Sequence, residues 1–175
     1  MPPPAVYDRD GRPLLSWRVS LLPYIGDEEL FGQFKLDEPW DSPHNIHLLP
    51  KIPTVYRPYR QAAAAADATF FRIFVGEGAA FEHRRSLVCP RDFPDGTSET
   101  FLVVEAGEAV PWTKPEELSW APGSPLPRLG GICRDGTFRA AFVDGHVQCV
   151  GKAATEAAIR AAITCNGGER GAHLE

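Results

Sequence analysis

The stretch TFRAAFVDGHVQCV, from Thr137 to Val150, carries the strongest local fold signal in the chain. Two apolar, β-rich runs flank Asp144-Gly145. An Asp-Gly pair between such runs is typical of a two-residue hairpin turn, which needs positive φ at both positions. The sequence therefore predicts an antiparallel β-hairpin here, with these two residues as its loop.

A two-residue loop also decides which residues face each other. It places Phe142 opposite Val147, and Ala140 opposite Cys149. The predicted buried face consists of Phe138, Ala140, Phe142, Val147 and Cys149. The other face carries Arg139, His146 and Gln148.

The elements on either side of the hairpin define the fold class. Aromatic and β-branched runs at residues 69–75 and 100–105 predict strands. Apolar residues at helical spacing, with proline and acidic residues at the expected starts, predict short helices over 14–22, 28–34 and 43–49 and an amphipathic helix over 152–164. Residues 111–131 are rich in proline and are expected to form a long irregular loop. This order predicts an α+β fold, in which an antiparallel sheet has short N-terminal helices and one C-terminal packing helix.

Length and composition set the expected boundaries. The chain of 175 residues is long enough for one domain, predicted over residues 8–168, after an extended proline-rich arm at 1–7. Residues 169–175 are expected to be a disordered tail that ends in a vector-derived Leu-Glu pair. A net charge of −5 without a basic run excludes a typical nucleic-acid binder. No apolar run is long enough to cross a bilayer, and no signal peptide is evident.

The segment KLDEPWDSPHN, residues 35–45, gathers acidic and His side chains around one Trp. His44 and His47 are three residues apart on an expected helix, and Asp41 precedes them, so the three are a candidate metal site. The competing interpretation is local, because Asp41 or Ser42 can cap a helix that has Pro43 at its first position. We favour the local interpretation. The metal site supports only a third hypothesis for function, a metal-dependent hydrolase.

Other candidate chemistry is weaker. Glu105 and Glu108 could act as an acid and a base, but carboxylates at strand ends are more often solvated or capping. The chain has no nucleophile elbow, phosphate-binding loop or dinucleotide fingerprint. Its four cysteines form no CxxC pair, which argues against a zinc knuckle and leaves two disulfides or none as alternatives. No cofactor is predicted.

The tryptophans offer a binding hypothesis. Trp112 and Trp120 lie in the proline-rich segment and Trp40 in the acidic one, where exposed rings could stack on a sugar. The alternative is that the rings anchor a long loop, which needs such contacts to be held in place. We favour anchoring.

Several stretches together resemble the planctomycete-type pilin-like family of unknown function, which carries an H-x9-DG signature near its C-terminus. They are DGRPLLSWRVSLLPYIGDEELFGQFKLDEPWDSPHN (10–45), DGTSET (95–100), VVEAGEAVPWTKPEEL (103–118) and FVDGHVQCV (142–150). Asp144-Gly145 matches the DG pair, Asp95-Gly96 is a second such pair, and Arg134 stands where the signature has His. Many members begin with a prepilin-type methylation segment, which this sequence does not contain.

The resemblance implies a pilin-like α+β head at the cell envelope or outside the cell, and it provides no catalytic residues. We therefore predict a non-enzymatic structural or interaction module that acts through protein partners or self-assembly. Membrane contact would come only from the missing N-terminal segment. The alternative is an extracellular domain that binds a carbohydrate or peptide through its Trp-bearing loops.

Overall fold

The computed structural model describes residues 2–59, 65–83, 86–133, 135–168 and 174. The strands are β1 (Ala5–Tyr7), β2 (Pro13–Ser16), β3 (Ala68–Arg72), β4 (Phe74–Gly76), β5 (Phe101–Pro111), β6 (Leu118–Trp120), β7 (Phe138–Phe142) and β8 (Val147–Val150). The α-helices are α1 (Trp17–Ser20), α2 (Glu28–Phe31) and α3 (Glu156–Ile163), and 3-10 helices span Leu22–Ile25, Asn45–Lys51 and Thr54–Tyr56. Short helices with mainly antiparallel sheets confirm the α+β class.

The chain divides into two units, which we describe separately. The N-terminal unit comprises residues 2–69 and 109–116, and the C-terminal unit comprises residues 70–108 and 117–175. The predicted arm at residues 1–7 includes β1, which pairs antiparallel with β2. The core of the N-terminal unit consists of Leu14, Leu15, Val19, Leu22, Phe34, Leu48, Leu49, Ile52, Tyr56 and Trp112.

The helix predicted over residues 14–22 is wrong in its first part. Leu14 and Leu15 belong to β2, and Leu15 pairs with Val6 of β1. Pairing with β1 occupies the strand's backbone, and both leucines are buried in the extended conformation, so tertiary contacts override the helical spacing. The helix starts only at Trp17, where the Ser16 hydroxyl accepts a hydrogen bond from the Arg18 N–H.

The other short helices of this unit are close to their predicted positions but shorter or tighter. The helix expected over 28–34 is α2, and the one expected over 43–49 is the 3-10 helix Asn45–Lys51. This 3-10 helix starts later than predicted and continues through Pro50 to Lys51. Ser42 has the predicted capping role, because its hydroxyl accepts the Asn45 N–H at 3.0 Å.

The C-terminal unit is built on a four-stranded sheet in the order β3-β5-β7-β8. The strand predicted over 69–75 divides at Ile73, because the N–H of Ile73 donates to a Glu117 carboxylate oxygen and its carbonyl accepts from Leu118. The following strand β4 therefore pairs with β6, in parallel. The prediction of an irregular loop over 111–131 is wrong at β6, a three-residue strand too short to show a clear period.

The hairpin exists, but its predicted register is wrong by one residue. Ala140 pairs with Gln148, not with Cys149, and the Phe142 N–H donates to the His146 carbonyl. The loop therefore has three residues, 143–145, and among them only Gly145 has a positive φ, of 95°. One extra loop residue turns β8 over, because side chains alternate along a strand.

This shift corrects two predicted core residues. Val147 is 65% exposed and Cys149 is also exposed, whereas Val150 is completely buried. Phe138, Ala140 and Phe142 of β7 are buried as predicted.

Helix α3 packs on this sheet through Ala162 and Ile163. It is shorter than the predicted 152–164, because Thr155 is its N-cap and accepts the Ala158 N–H at 3.1 Å. On its surface, Glu156 and Arg160 form an i,i+4 ion pair at 2.7 Å.

The expected tail at 169–175 lies outside the described residues except for Leu174. That residue is buried in the core of the C-terminal unit, and its carbonyl accepts the Gly151 N–H. Among the described residues, no helix has the length and apolar character needed to cross a membrane.

Candidate functional site

Asn45 organises the segment from Lys35 to Asn45. Its side chain is completely buried, and its oxygen accepts the Lys35 N–H at 3.1 Å. Its amide nitrogen lies 3.0 Å from the Lys35 carbonyl and 3.1 Å from the carbonyls of Glu38 and Pro39. One side chain thus replaces the regular backbone partners that an irregular loop lacks. Sequence reasoning missed Asn45, and its only signal was an amide residue at the end of a loop.

Two of the three predicted metal ligands, Asp41 and His44, belong to this segment, and the third, His47, lies in the 3-10 helix that follows it. Asp41, His44 and His47 are all exposed. The Nε2 atom of His44 lies 2.8 Å from the Gln33 carbonyl oxygen, so this ring contacts the backbone. In the described part of the chain, no three His, Cys, Asp or Glu side chains are arranged to hold a metal ion. The segment is therefore a tied loop, and the three predicted ligands lie separately at the surface.

Trp112 is the centre of an aromatic cluster in the N-terminal unit. It is completely buried, and its indole N–H donates to the Leu49 carbonyl at 2.8 Å. Tyr56 stacks on it at a centroid distance of 6.0 Å, and Phe34 meets it edge-on at 5.8 Å. Trp40 is half-buried, with the Lys114 ammonium 5.7 Å from its ring centroid. Trp112 therefore has no face available to a ligand.

Trp120 is buried in the C-terminal unit, where it exposes 7% of its surface. Its ring meets Phe74 edge-on, and the Arg160 guanidinium carbon lies 5.6 Å from the ring centroid. The backbone of Gly76 runs so close to Trp120 that a Cβ atom at Gly76 would lie 1.9 Å from the Trp120 carbonyl oxygen. Trp112 and Trp120 thus anchor their segments, and neither ring forms part of an exposed groove.

Arg18 is a buried cation beside the aromatic cluster. It has no exposed surface, and its guanidinium donates to the Ser16 hydroxyl at 2.5 Å and lies 4.9 Å from the Trp17 ring centroid. The Tyr56 hydroxyl donates to the Arg18 carbonyl at 3.0 Å. Burial raises the pKa of Tyr56 to about 12, so the phenol stays protonated at neutral pH. Sequence reasoning treated Arg18 only as a helix residue.

Glu105 is a buried carboxylate at a branch point of the sheet. Strand β5 pairs with β7 as far as Val104, and after Glu105 it forms a bridge from Ala106 to Leu129 instead. One Glu105 oxygen accepts the Arg139 N–H at 3.0 Å, while the other has no hydrogen-bond partner among the described residues. Desolvation by burial raises the pKa of Glu105. The carboxylate therefore substitutes for a strand carbonyl, and Glu108 is exposed to solvent.

The two Asp-Gly pairs singled out in the sequence are turns that touch each other. The Asp144 N–H donates to the Thr97 carbonyl at 3.1 Å. The Asp144 carboxylate accepts the His146 N–H at 3.1 Å, and this bond lowers the pKa of Asp144. Asp95 in turn accepts the Gly168 N–H at 3.1 Å. Asp144 therefore stabilises its own turn, whereas Asp95 bonds to backbone that is distant in the sequence. Arg134, at the signature's His position, lies outside the described residues.

An apolar surface in the N-terminal unit was not anticipated from the sequence. Tyr24 is 84% exposed, Val55 58% and Ile25 40%. Beside them lies a groove of about 570 Å³, lined by Ile25, Asp27, Lys51, Ile52, Pro53, Thr54 and Val55. We call these three exposed side chains and the groove the apolar patch. Its signal in the sequence was a Tyr-Ile pair between Pro23 and Gly26, and Gly26 ends that turn with a φ of 86°.

The comparisons with known proteins add one match. No curated protein and no solved structure matches the chain. The Asp95-Gly96 and Asp144-Gly145 turns lie beyond the matched region, whereas Asn45 and the apolar patch lie within it. Over residues 1–86, the chain matches the model of a family described as a protein of unknown function (DUF1559).

Proposed function

We propose that this protein is a non-enzymatic interaction module, the globular head of a pilin-like protein of the cell envelope, and that it binds a protein partner through the apolar patch. The proposal takes the matched family to be the same as the planctomycete-type pilin-like family that the sequence motifs resemble. The partner we expect is a separate protein that inserts apolar side chains into the groove. It would also meet Asp27 and Lys51, which line the same groove.

One observation carries the proposal. Ile25 and Val55 line a concave surface with their side chains partly in water, and Tyr24, next to Ile25 in the chain, is 84% exposed. Single exposed apolar residues are common, but apolar residues grouped at a groove with a polar edge are typical of protein interaction sites. An exposed Tyr is also among the residues that contribute most to binding when a partner covers them.

The distinctive buried residues support the non-enzymatic part. Asn45, Trp112 and Arg18 direct their polar groups to the backbone or to a neighbouring hydroxyl, and one oxygen of Glu105 accepts a backbone N–H. A catalytic group needs a polar atom that faces a cleft where substrate can bind. These four side chains are engaged in holding loops and strands, which is the use expected in a structural head.

Site-specific photocrosslinking in the cells that produce the protein tests the binding surface. A photoreactive phenylalanine analogue is introduced at Tyr24 or at Val55, and Val88 is the matched control because it is also an exposed valine, at 47%, outside the patch. We expect one discrete protein adduct from positions 24 and 55, none from position 88, and loss of the adduct in an Ile25→Asp background.

Three results would contradict the proposal. Equal adducts from all three positions would mean that the surface is not selective, and no adduct would mean that the patch has no partner. An adduct made only of this same chain would replace the separate partner by self-assembly. Stoichiometric metal in the purified protein would contradict the non-enzymatic part.

A further inference from the structure

Strand β8 is an edge strand of the four-stranded sheet. The bond from the Phe142 N–H to the His146 carbonyl sets the alternation of the ladder. Residues 146, 148 and 150 therefore direct their backbone groups to β7, and Val147 and Cys149 direct theirs away from it. These outward groups have no hydrogen-bond partner among the residues that the structure describes.

The edge lacks the usual protection against pairing. From His146 to Gly151 there is no Lys, Arg, Asp, Glu or Pro, and the pairing of β7 with β8 has no bulge. Natural edge strands are commonly guarded by such features. The side chains on the solvent-facing side of β8 are Val147, which is 65% exposed, and Cys149, which is also exposed. Within the part of the chain that the structure describes, both the backbone edge and the neighbouring side chains are thus open to another strand.

We propose that two copies of this chain pair through β8, antiparallel and about a two-fold axis at Gln148, so that their sheets become continuous. Val147 of each copy lies opposite Cys149 of the other, and the two pairs exchange four backbone hydrogen bonds. The pairing uses the C-terminal unit and goes beyond the proposed function, whose patch belongs to the N-terminal unit.

The register between the two β8 strands follows from which outward backbone groups are not already bonded. The next outward N–H, that of Gly151, already donates to the Leu174 carbonyl at 3.0 Å, so a register that needs it is disfavoured. Centring the axis on Gln148 uses only Val147 and Cys149. It also brings the exposed Val147 of one copy beside Cys149 of the other, which covers apolar surface on both.

A second copy is the occupant that the charge pattern favours. Strand β8 is uncharged, so two copies can approach without repulsion between like charges. Its donors and acceptors are self-complementary under a two-fold rotation, which is the usual symmetry of homodimers.

Sedimentation of the full chain measures the assembly, because a monomer has a mass of 19.2 kDa and a dimer twice that. We expect a dimer at micromolar concentration.

Val147→Pro removes an outward N–H that β7 does not use, and so removes two of the four bonds between copies. Val147→Lys places two cations near the axis and should weaken the dimer by about tenfold or more. Val88→Lys is the matched control and should leave the dimer intact.

Crosslinking checks the register. Facing Gln148 residues would form a pair without mutual hydrogen bonds, with Cα atoms about 4.5 Å apart, which suits a disulfide. In a Cys89→Ser, Cys149→Ser background, Gln148→Cys should give a covalent dimer under oxidising conditions, and adding Val147→Pro should suppress it. A monomer at about 100 µM would overturn the proposal, and so would a dimer unaffected by Val147→Lys or Val147→Pro. Circular dichroism confirms that each variant is folded.

Discussion

Asn45 is completely buried, whereas Tyr24 is 84% exposed, although both lie in the stretch from Asp10 to Asn45. Both the amide oxygen and the amide nitrogen of Asn45 bond to the backbone of its own loop. Tyr24 lies at the opposite extreme, with most of its surface in water. One distinctive motif thus contains two kinds of residue, those that hold the scaffold and those that the scaffold presents outward.

The largest loss of stability is expected from replacing a completely buried side chain. Trp112→Ala removes a completely buried ring together with its stacking on Tyr56 and its bond to the Leu49 carbonyl. We expect a loss of about 3–5 kcal/mol in the free energy of unfolding, measured by chemical denaturation. Trp40→Ala is the control, because that ring is half-buried, and its loss should be clearly smaller. Equal losses would contradict the anchoring role of Trp112.

The next effect concerns the tied loop. Asn45→Ala leaves the Lys35 N–H and three carbonyls without their side-chain partner, which should cost about 2–3 kcal/mol. Asp41→Ala in the same loop removes only an exposed carboxylate and should change stability by less than about 0.5 kcal/mol. If Asp41→Ala were the more damaging of the two, the loop would have a function beyond its own conformation, such as binding a metal.

Tyr56 makes the buried cluster sensitive to high pH. Its pKa is raised from 10.0 to about 12, so the folded state holds the phenol proton more tightly than the unfolded state does. The stabilisation is fully present below pH 10 and is lost as the pH rises to about 12, and it amounts to about 2–3 kcal/mol. Tyr56→Phe should flatten this loss and cost about 1 kcal/mol at pH 7, since it removes the bond to Arg18. Equal slopes in both proteins would show that Tyr56 is not the titrating group.

Glu105 should give a smaller effect at lower pH. Burial raises its pKa, so the folded state favours the protonated acid, and stability falls as the pH rises through the folded-state pKa. Glu105→Gln is neutral at every pH and keeps an oxygen that can accept the Arg139 N–H. Relative to the wild type, it should therefore gain stability as the pH rises above 4.5, the ordinary pKa of the carboxyl group. Urea denaturation at several pH values measures the difference, and a wild-type stability that rises with a steeper slope than the variant's would contradict it.

The sequence indicated the elements more reliably than their registers. It located the hairpin, the C-terminal helix and the Ser42 cap, because turn and cap residues act on their near neighbours. It predicted the wrong buried face for β8, because an Asp-Gly pair fits both a two-residue and a three-residue loop. One residue more in the loop exchanges the buried and the exposed face of the strand.

The residues of the candidate site were hard to predict for a different reason. Asn45 reaches carbonyls up to ten residues back along the chain, and Glu105 accepts from a strand far along the sequence. The exposure of Tyr24 and Val55 likewise depends on how separate turns come together. Local patterns do not encode such contacts.

Thermal unfolding of the Tyr24→Ser, Val55→Ser double variant, measured beside Asn45→Ala and the wild type, tests most directly whether the N-terminal unit combines a scaffold with an exposed surface. We predict that the double variant unfolds at the wild-type temperature, because both side chains are mostly in water, and that Asn45→Ala unfolds several degrees lower. A double variant that unfolds as early as Asn45→Ala would contradict the account, since the patch would then be part of the scaffold.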